Sequence, residues 1–255
     1  MATATQTASS QPETVQTQAV DFYFDVSCPW AWRTALWIRE VAKVRPIQVT
    51  WKFLSLAKIN EAGDYSRDSH TASHATFPLL ARARAQGGNE AVERLYVALG
   101  QARHERKESL ADAAVIERAL TEAGLDPAWR TEAAAEPGMQ ERILAEHQEG
   151  IERLKAFGVP MLSINDGRGF FGPALTAVPP GEDAGALWDH LAWLAARDDV
   201  CEYKRSRREQ CGRTSVPGAQ QVCCTMGYSL CSTSPLPWGQ GRGGLSPVRP
   251  CFAPR

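Results

Sequence analysis

Ser27-Cys28-Pro29-Trp30-Ala31 sets one cysteine just before a proline, at the point where an apolar strand pattern gives way to a helical one. A thiol in the first turn of a helix faces backbone N–H groups without helical partners and the positive end of the helix dipole. Both favour thiolate over thiol. Cys28 is therefore a candidate nucleophile. A cysteine can equally serve as a small apolar core residue; here its position argues for reactivity. The fourth residue of the motif is Ala31, so the redox-active CxxC pattern is incomplete. A lone thiolate can attack a disulfide or carry a low-molecular-weight thiol. It cannot expel that adduct by closing an internal disulfide, so release needs a second external thiol.

The other chemistry-bearing residues are less directive. Cys201, Cys211, Cys223, Cys224, Cys231 and Cys251 crowd the end of the chain, and the total of seven is odd. Their gaps do not supply the paired CxxC spacing of a zinc knuckle. Nothing in the spacing of Cys201 marks it as a resolving partner for Cys28. His70 and His74 stand four apart, as a helical metal pair would, but their surroundings are polar and no third ligand is near. They read as solvated, and no metal is expected. Lys204 to Arg208 reads as a solvated helix end.

Cys28 needs a strand before it and a helix behind it, and the sequence supplies both. Val20 to Val26, VDFYFDV, is apolar at nearly every position, as in a strand buried on both faces. In CPWAWRTALWIREVAKV, Trp30, Trp37, Val41 and Val44 fall on one helical face. Arg45-Pro46 ends that helix, and Ile47 to Leu56 alternates as a second strand, giving β-α-β. A polar, irregular stretch follows from Asn60 to Thr76. Three or four helices then fit between breaks at Gly87-Gly88, Lys107 to Ser109, Asp126-Pro127 and Pro137-Gly138. Ser109 to Asp112 reads as a capping start, and Gly124 as a helix stop. Val159-Pro160 precedes MLSIN, a DGRG turn and Phe170-Phe171, which together predict a hairpin. A cis proline there would bring the preceding backbone beside the start of the Cys28 helix. A last helix begins near Pro180, with Leu187, Trp188, Leu191 and Leu194 on its apolar stripe.

The 255 residues carry a formal charge of −1, so charge supports neither nucleic acid nor an anionic membrane as partner. The first eighteen residues are rich in Thr, Ala, Ser and Gln without a signal-peptide core, and read as a disordered leader. No run reaches the roughly 18 to 20 apolar residues of a membrane span. A cytoplasmic protein with free thiols is expected. From Gly212 onward there is no acidic residue and no helical or strand period, which predicts a disordered tail.

FDVSCPWAW, WKFLSLAKINE, GVPMLSIN and FFGPALTAVPPGEDAGALWDH together resemble the mycothiol-dependent nitroreductase family of actinobacteria, a DsbA-like branch of the thioredoxin superfamily. The likeness runs from about Val20 to Arg205. SLAKINE and FFGPALTAVP carry the branch-specific part. The resemblance implies an α/β thioredoxin-like fold with a helical insertion: a leader over 1–18, a thioredoxin-like domain over 19–60 and 158–208, an inserted helical domain over 61–157, and a tail over 209–255. It implies Cys28 as the attacking thiolate and mycothiol, or another low-molecular-weight thiol, as reductant. Trp30 then walls the thiol pocket, unless it is simply core. Asn60 contacts substrate, unless it only starts a loop. Val159 and Pro160 present backbone to the bound thiol. The substrates implied are disulfides or nitroaromatics, reduced through a mixed disulfide at Cys28. Two other readings fit Ala31: an enzyme like the kappa-class glutathione transferases or hydroxychromene carboxylate isomerases, and a non-catalytic redox sensor capped at Cys28.

Overall fold

In the computed structural model, which describes residues 16–60, 71–133 and 139–203, the first apolar run forms strand β1 (Gln18–Phe24). Phe22, Tyr23 and Phe24 are all buried, so both faces of the strand are covered, as a run without polar alternation requires. β1 pairs in parallel with β2 (Ile47–Phe53), Phe22 opposite Trp51 and Phe24 opposite Phe53. A parallel pair needs a crossover, and helix α1 (Pro29–Val44) supplies it. Strand β3 (Met161–Ile164) runs antiparallel to β1 on its other side, and β4 (Phe170–Phe171) antiparallel to β3. The sheet order is β2-β1-β3-β4.

Between β2 and β3 the chain is helical: α2 (Leu56–Asn60), α3 (Thr71–Gly100), a π-helical turn over Gln101–Glu105, α4 (Ala113–Glu122), α5 (Trp129–Glu132) and α6 (Met139–Leu154). Helix α7 (Gly181–Ala195) follows β4. The break expected at Gly87-Gly88 is a kink within α3, where Gly88 takes φ 64°. α4 is capped by Asp112, whose carboxyl accepts the Ala114 N–H at 3.0 Å, rather than by Ser109. Gly124, at φ 69°, follows its end. The leader through residue 15, His70, the Pro137-Gly138 break and everything from Lys204 onward lie outside the described residues.

Aromatic rings join the layers. On one side of the sheet Phe24 stacks on Tyr96 of α3, with centroids 3.9 Å apart, and Trp51 and Phe53 meet Tyr96 and Phe77. Tyr23 points to the other side, toward Gly150 of α6. Trp37 of α1 packs on Trp188 of α7 and donates its ring N–H to the Ala184 carbonyl at 3.2 Å. β2 is an edge strand, and side chains cover its ladder. Asn89 bonds Trp51 N–H and the Val49 carbonyl, Glu146 accepts from Phe53 N–H, and Arg84 donates to the Trp51 carbonyl.

Three boundaries differ from the sequence expectation. β1 starts and ends two residues early, and β2 stops at Phe53 rather than Leu56. The cause is Asp25: its carboxyl accepts the N–H groups of Ser27 and Leu56, drawing both chain segments out of strand geometry. Along α1 the buried face comprises Ala31, Trp32, Thr34, Ala35, Trp37, Ile38 and Val41, while Trp30 and Val44 are half-buried.

Candidate active site

The turn from β1 into α1 is built on Asp25, fully buried among apolar side chains. One carboxyl oxygen accepts the Ser27 N–H at 2.8 Å and the Ser27 hydroxyl at 2.7 Å; the other accepts the Leu56 N–H at 2.9 Å. A buried carboxyl is tolerable only with such partners. It ties the β1–α1 turn to the β2–α2 turn, so the ends of both parallel strands are fixed to each other. The Asp25 carbonyl also accepts the Cys28 N–H at 3.0 Å.

Cys28 is the N-cap residue of α1, with φ −84° and ψ 114°, and Pro29 follows at the first helical position, where its missing N–H costs nothing. The Cys28 sulfur accepts the Ala31 N–H at 3.4 Å and faces the Val159 carbonyl oxygen at 3.5 Å. The thiol thus takes the place that a serine or aspartate oxygen occupies at an ordinary cap. Cys28 is only 2% exposed, so the sulfur sits below the surface.

Val159-Pro160 is cis, and its chain segment lies where the sequence reading placed it, against the helix start. The Pro160 carbonyl accepts the Gly172 N–H at 2.9 Å, which joins this corner to the Phe170–Ala174 segment. Gly172-Pro173 is also cis, and this segment meets the first turns of α1. There the Thr34 hydroxyl lies 2.6 Å from the Pro173 carbonyl, and Arg33 donates to Leu175 O at 3.4 Å. Arg33 also lies over the ring of Trp30, 5.3 Å from its centroid. Trp30, two residues past Cys28, is half-buried. Asn60 is buried at the end of α2, whose first N–H is held by Asp25, so it stands at the same end of the sheet as Cys28.

Three residues of this corner have no part in the sequence reading. Asp25 left a signal: a charge inside an otherwise apolar strand needs partners. His104, on the π-helical turn, donates from Nε2 to the Val26 carbonyl at 2.8 Å and stacks on Trp32. Burial pushes its pKa down to about 4, and Arg103, Lys107 and Arg33 push the same way, against the bond to Val26. Tyr96 is fully buried, and burial, with the charges of Cys28 and Asp25 behind it, holds its phenol well above the ordinary range. Nothing in the spacing of either residue announced these contacts.

A capping thiol beside a cis-proline strand, with alanine at the fourth position, is an arrangement the whole chain can be compared on. The family of Rv2466c-like proteins, mycothiol-dependent nitroreductases, matches residues 27–205. The chain belongs to this family. Among curated proteins it is similar to Rv2286c of Mycobacterium tuberculosis, 32% identical over 193 residues, spanning 74% of this chain and 82% of that protein. Among solved structures, a probable DsbA oxidoreductase from Streptomyces coelicolor superposes with a TM-score of 0.50 at 17% identity, covering 73% of this chain and 94% of the other. A 2-hydroxychromene-2-carboxylate isomerase superposes with a TM-score of 0.52 at 16% identity, over 69% and 95%. The fold is thioredoxin-like with a helical insertion, as in the DsbA-like structures.

Among the described residues, no group of three His, Cys, Asp or Glu side chains is placed to hold a metal ion, and no helix is long and apolar enough to cross a membrane. His74 heads α3, and Cys201 is exposed after α7.

Proposed function

We propose that this protein is a cytoplasmic monothiol oxidoreductase that takes electrons from mycothiol and passes them, through a mixed disulfide on Cys28, to disulfide or nitroaromatic substrates. The observation that carries the reading is the Cys28 sulfur at the α1 N-cap, 3.4 Å from the Ala31 N–H and 3.5 Å from the Val159 carbonyl, with no cysteine at position 31. These two neighbours are neutral backbone groups, which suits a sulfur that alternates between thiol, thiolate and disulfide. Family membership supports the choice of mycothiol among low-molecular-weight thiols.

In the disulfide reaction the Cys28 thiolate attacks one sulfur of the substrate and forms a mixed disulfide, and the other sulfur departs as thiolate. Ala31 offers no internal exit, so a second external thiolate attacks the adduct and Cys28 leaves as thiolate. Val159 and Pro160 hold the backbone against the incoming sulfur, Trp30 walls the thiol, and Asn60 contacts the substrate. In this reading residues 19–60 and 158–208 form the thioredoxin-like part, and 61–157 the helical part packed upon it.

Purified full-length protein, incubated with mycothiol and mild oxidant, is expected to gain the mass of one mycothiol on Cys28, and the adduct to vanish on adding excess thiol. With a nitroaromatic or mixed-disulfide substrate and excess mycothiol, multiple turnovers are expected. An adduct without turnover would select the redox-sensor reading; conjugation without reduction would select a transferase.

A further inference from the structure

Carboxylates meet most of the described arginines: Arg39 pairs with Glu93, Arg45 with Glu182 and Asp189, Arg118 with Glu108, and Arg153 with Asp21. Beside the Cys28 turn that pairing stops. Among the described residues Arg33, Arg103 and Lys107 make no ion pair; Arg33 and Lys107 donate to backbone carbonyls instead. Acids are at hand, yet Glu108 is taken by Arg106 and Arg118, Glu105 pairs with none of the three, and Asp25 is turned to Ser27 and Leu56.

Contacts gather these cations around the turn. Arg33 stands five residues past Cys28 in α1, about 7–8 Å along the helix axis. Its guanidinium lies over Trp30, 5.3 Å from the ring centroid, and one nitrogen donates to the Leu175 carbonyl at 3.4 Å. Those contacts hold the group in place without neutralising it, and its other N–H groups keep the fork that pairs with a carboxylate. Lys107 donates to the His104 carbonyl, and Arg103 precedes His104 in the π-helical turn. His104 reaches the Val26 carbonyl at 2.8 Å, two residues before Cys28, and its ring stacks on Trp32. Burial and all three cations hold that ring neutral. Three positive charges left without a counter-charge repel one another and raise the local concentration of anions. At physiological salt their reach is about 8 Å, so they act on what binds at this corner.

We infer that Cys28 acts on anionic electrophiles: the substrate carries a carboxylate close to its reacting atom, Arg33 pairs with it, and Arg103 and Lys107 supply the field that draws it in. The inference rests on the reading of Cys28 as nucleophile and narrows its disulfide and nitroaromatic substrates to those bearing an acid group. The bonds made and broken are unchanged, since the carboxylate takes no part in them.

The test is the rate of Cys28 alkylation by iodoacetate divided by that by iodoacetamide, at neutral pH, resolved by peptide mass. Each reagent forms one C–S bond and releases iodide; they match in size and differ in charge. Thiolate fraction and access therefore cancel in the ratio. Arg33→Gln and Lys107→Gln should each lower it about two- to tenfold. Raising the ionic strength from about 0.01 M to about 1 M, which shortens the reach of charge from about 30 Å to about 3 Å, should lower it in wild type as well. Arg168→Gln removes the same charge in the β3–β4 turn, at the end of β3 away from Pro160, and should leave it unchanged. A ratio that neither variant nor salt alters, or that Arg168→Gln lowers equally, would overturn the anionic substrate and leave the nucleophile intact. Cys28 unreactive toward both reagents would overturn both.

Discussion

The Cys28 sulfur and the Val159 carbonyl oxygen, 131 residues apart in sequence, are 3.5 Å apart in space. On its other side the sulfur accepts the Ala31 N–H. One neighbour favours the thiol and the other the thiolate. A serine oxygen can take both positions. Cys28→Ser should therefore fold with a stability within about 1 kcal/mol of wild type, while mycothiol adduct and turnover fall to background. Denaturant unfolding together with intact mass checks both halves; an adduct surviving in this variant would remove Cys28 from the site.

Asp25 connects the two strand-to-helix turns and leaves no slack. Asp25→Ala removes the acceptor of the Ser27 and Leu56 N–H groups and of the Ser27 hydroxyl at a buried turn, and should cost roughly 3 kcal/mol or more. Asp25→Asn keeps one acceptor oxygen and should lose less. The urea midpoint should fall for both, in that order, with the slope unchanged. Equal losses would mean that the single oxygen Asn keeps does nothing to replace the carboxylate.

How far this corner was legible in the sequence depends on range. Cys28 at a helix start follows from neighbouring residues, because Ser27 and Pro29 are local signals. The β-α-β order and the hairpin after Pro160 follow from periodicity. Strand ends were missed by two or three residues because Asp25 wins the Ser27 and Leu56 amides from the sheet, a competition settled by a partner 31 residues away. Trp30 was set on the buried stripe by spacing alone, yet Trp32 fills that place, since Gly100 of α3 leaves room for its ring. Tyr96 lies among Val92, Leu95 and Leu99, where any large apolar side chain satisfies the pattern. The pattern reports the ring and is blind to the hydroxyl. His104 depends on a π-helical turn that no periodicity announces.

Gly100→Ala tests that close approach directly. A Cβ at Gly100 would enter the six-membered ring of Trp32, which is clamped by Tyr96 and His104. Overpacking of this kind costs about 1–3 kcal/mol, more than the helix propensity alanine adds. A thermal midpoint lower by roughly 2–10 °C is expected. An unchanged midpoint would show that α3 and α1 can part at this contact without loss.

His104 makes stability depend on pH with a definite sign. Its ordinary pKa of 6.5 falls to about 4 in the folded protein, so the unfolded chain binds the extra proton between those values. Stability from this residue is complete above about pH 6.5 and is lost as pH drops toward 4, by about 3 kcal/mol at most. His104→Gln retains a donor for the Val26 carbonyl but no titrating ring. Unfolding free energy measured across this range should fall less steeply in the variant; parallel curves would assign the acid limb to other groups.

Ala31 separates the monothiol cycle from the dithiol one. Its N–H already meets the Cys28 sulfur, so Ala31→Cys would bring a second sulfur to the first turn of α1. In that variant the mixed disulfide acquires an internal exit: the new thiolate attacks Cys28, and the bound thiol departs. After thiol and mild oxidant, wild type should show one adduct mass, whereas Ala31→Cys should show a loss of two hydrogens and little adduct. Ala31 is fully buried, so some stability should be lost, and the mass readout is independent of it. A persistent adduct in Ala31→Cys would mean that the sulfur of a bound thiol points away from the helix axis, and that the alanine does not govern how the adduct is released.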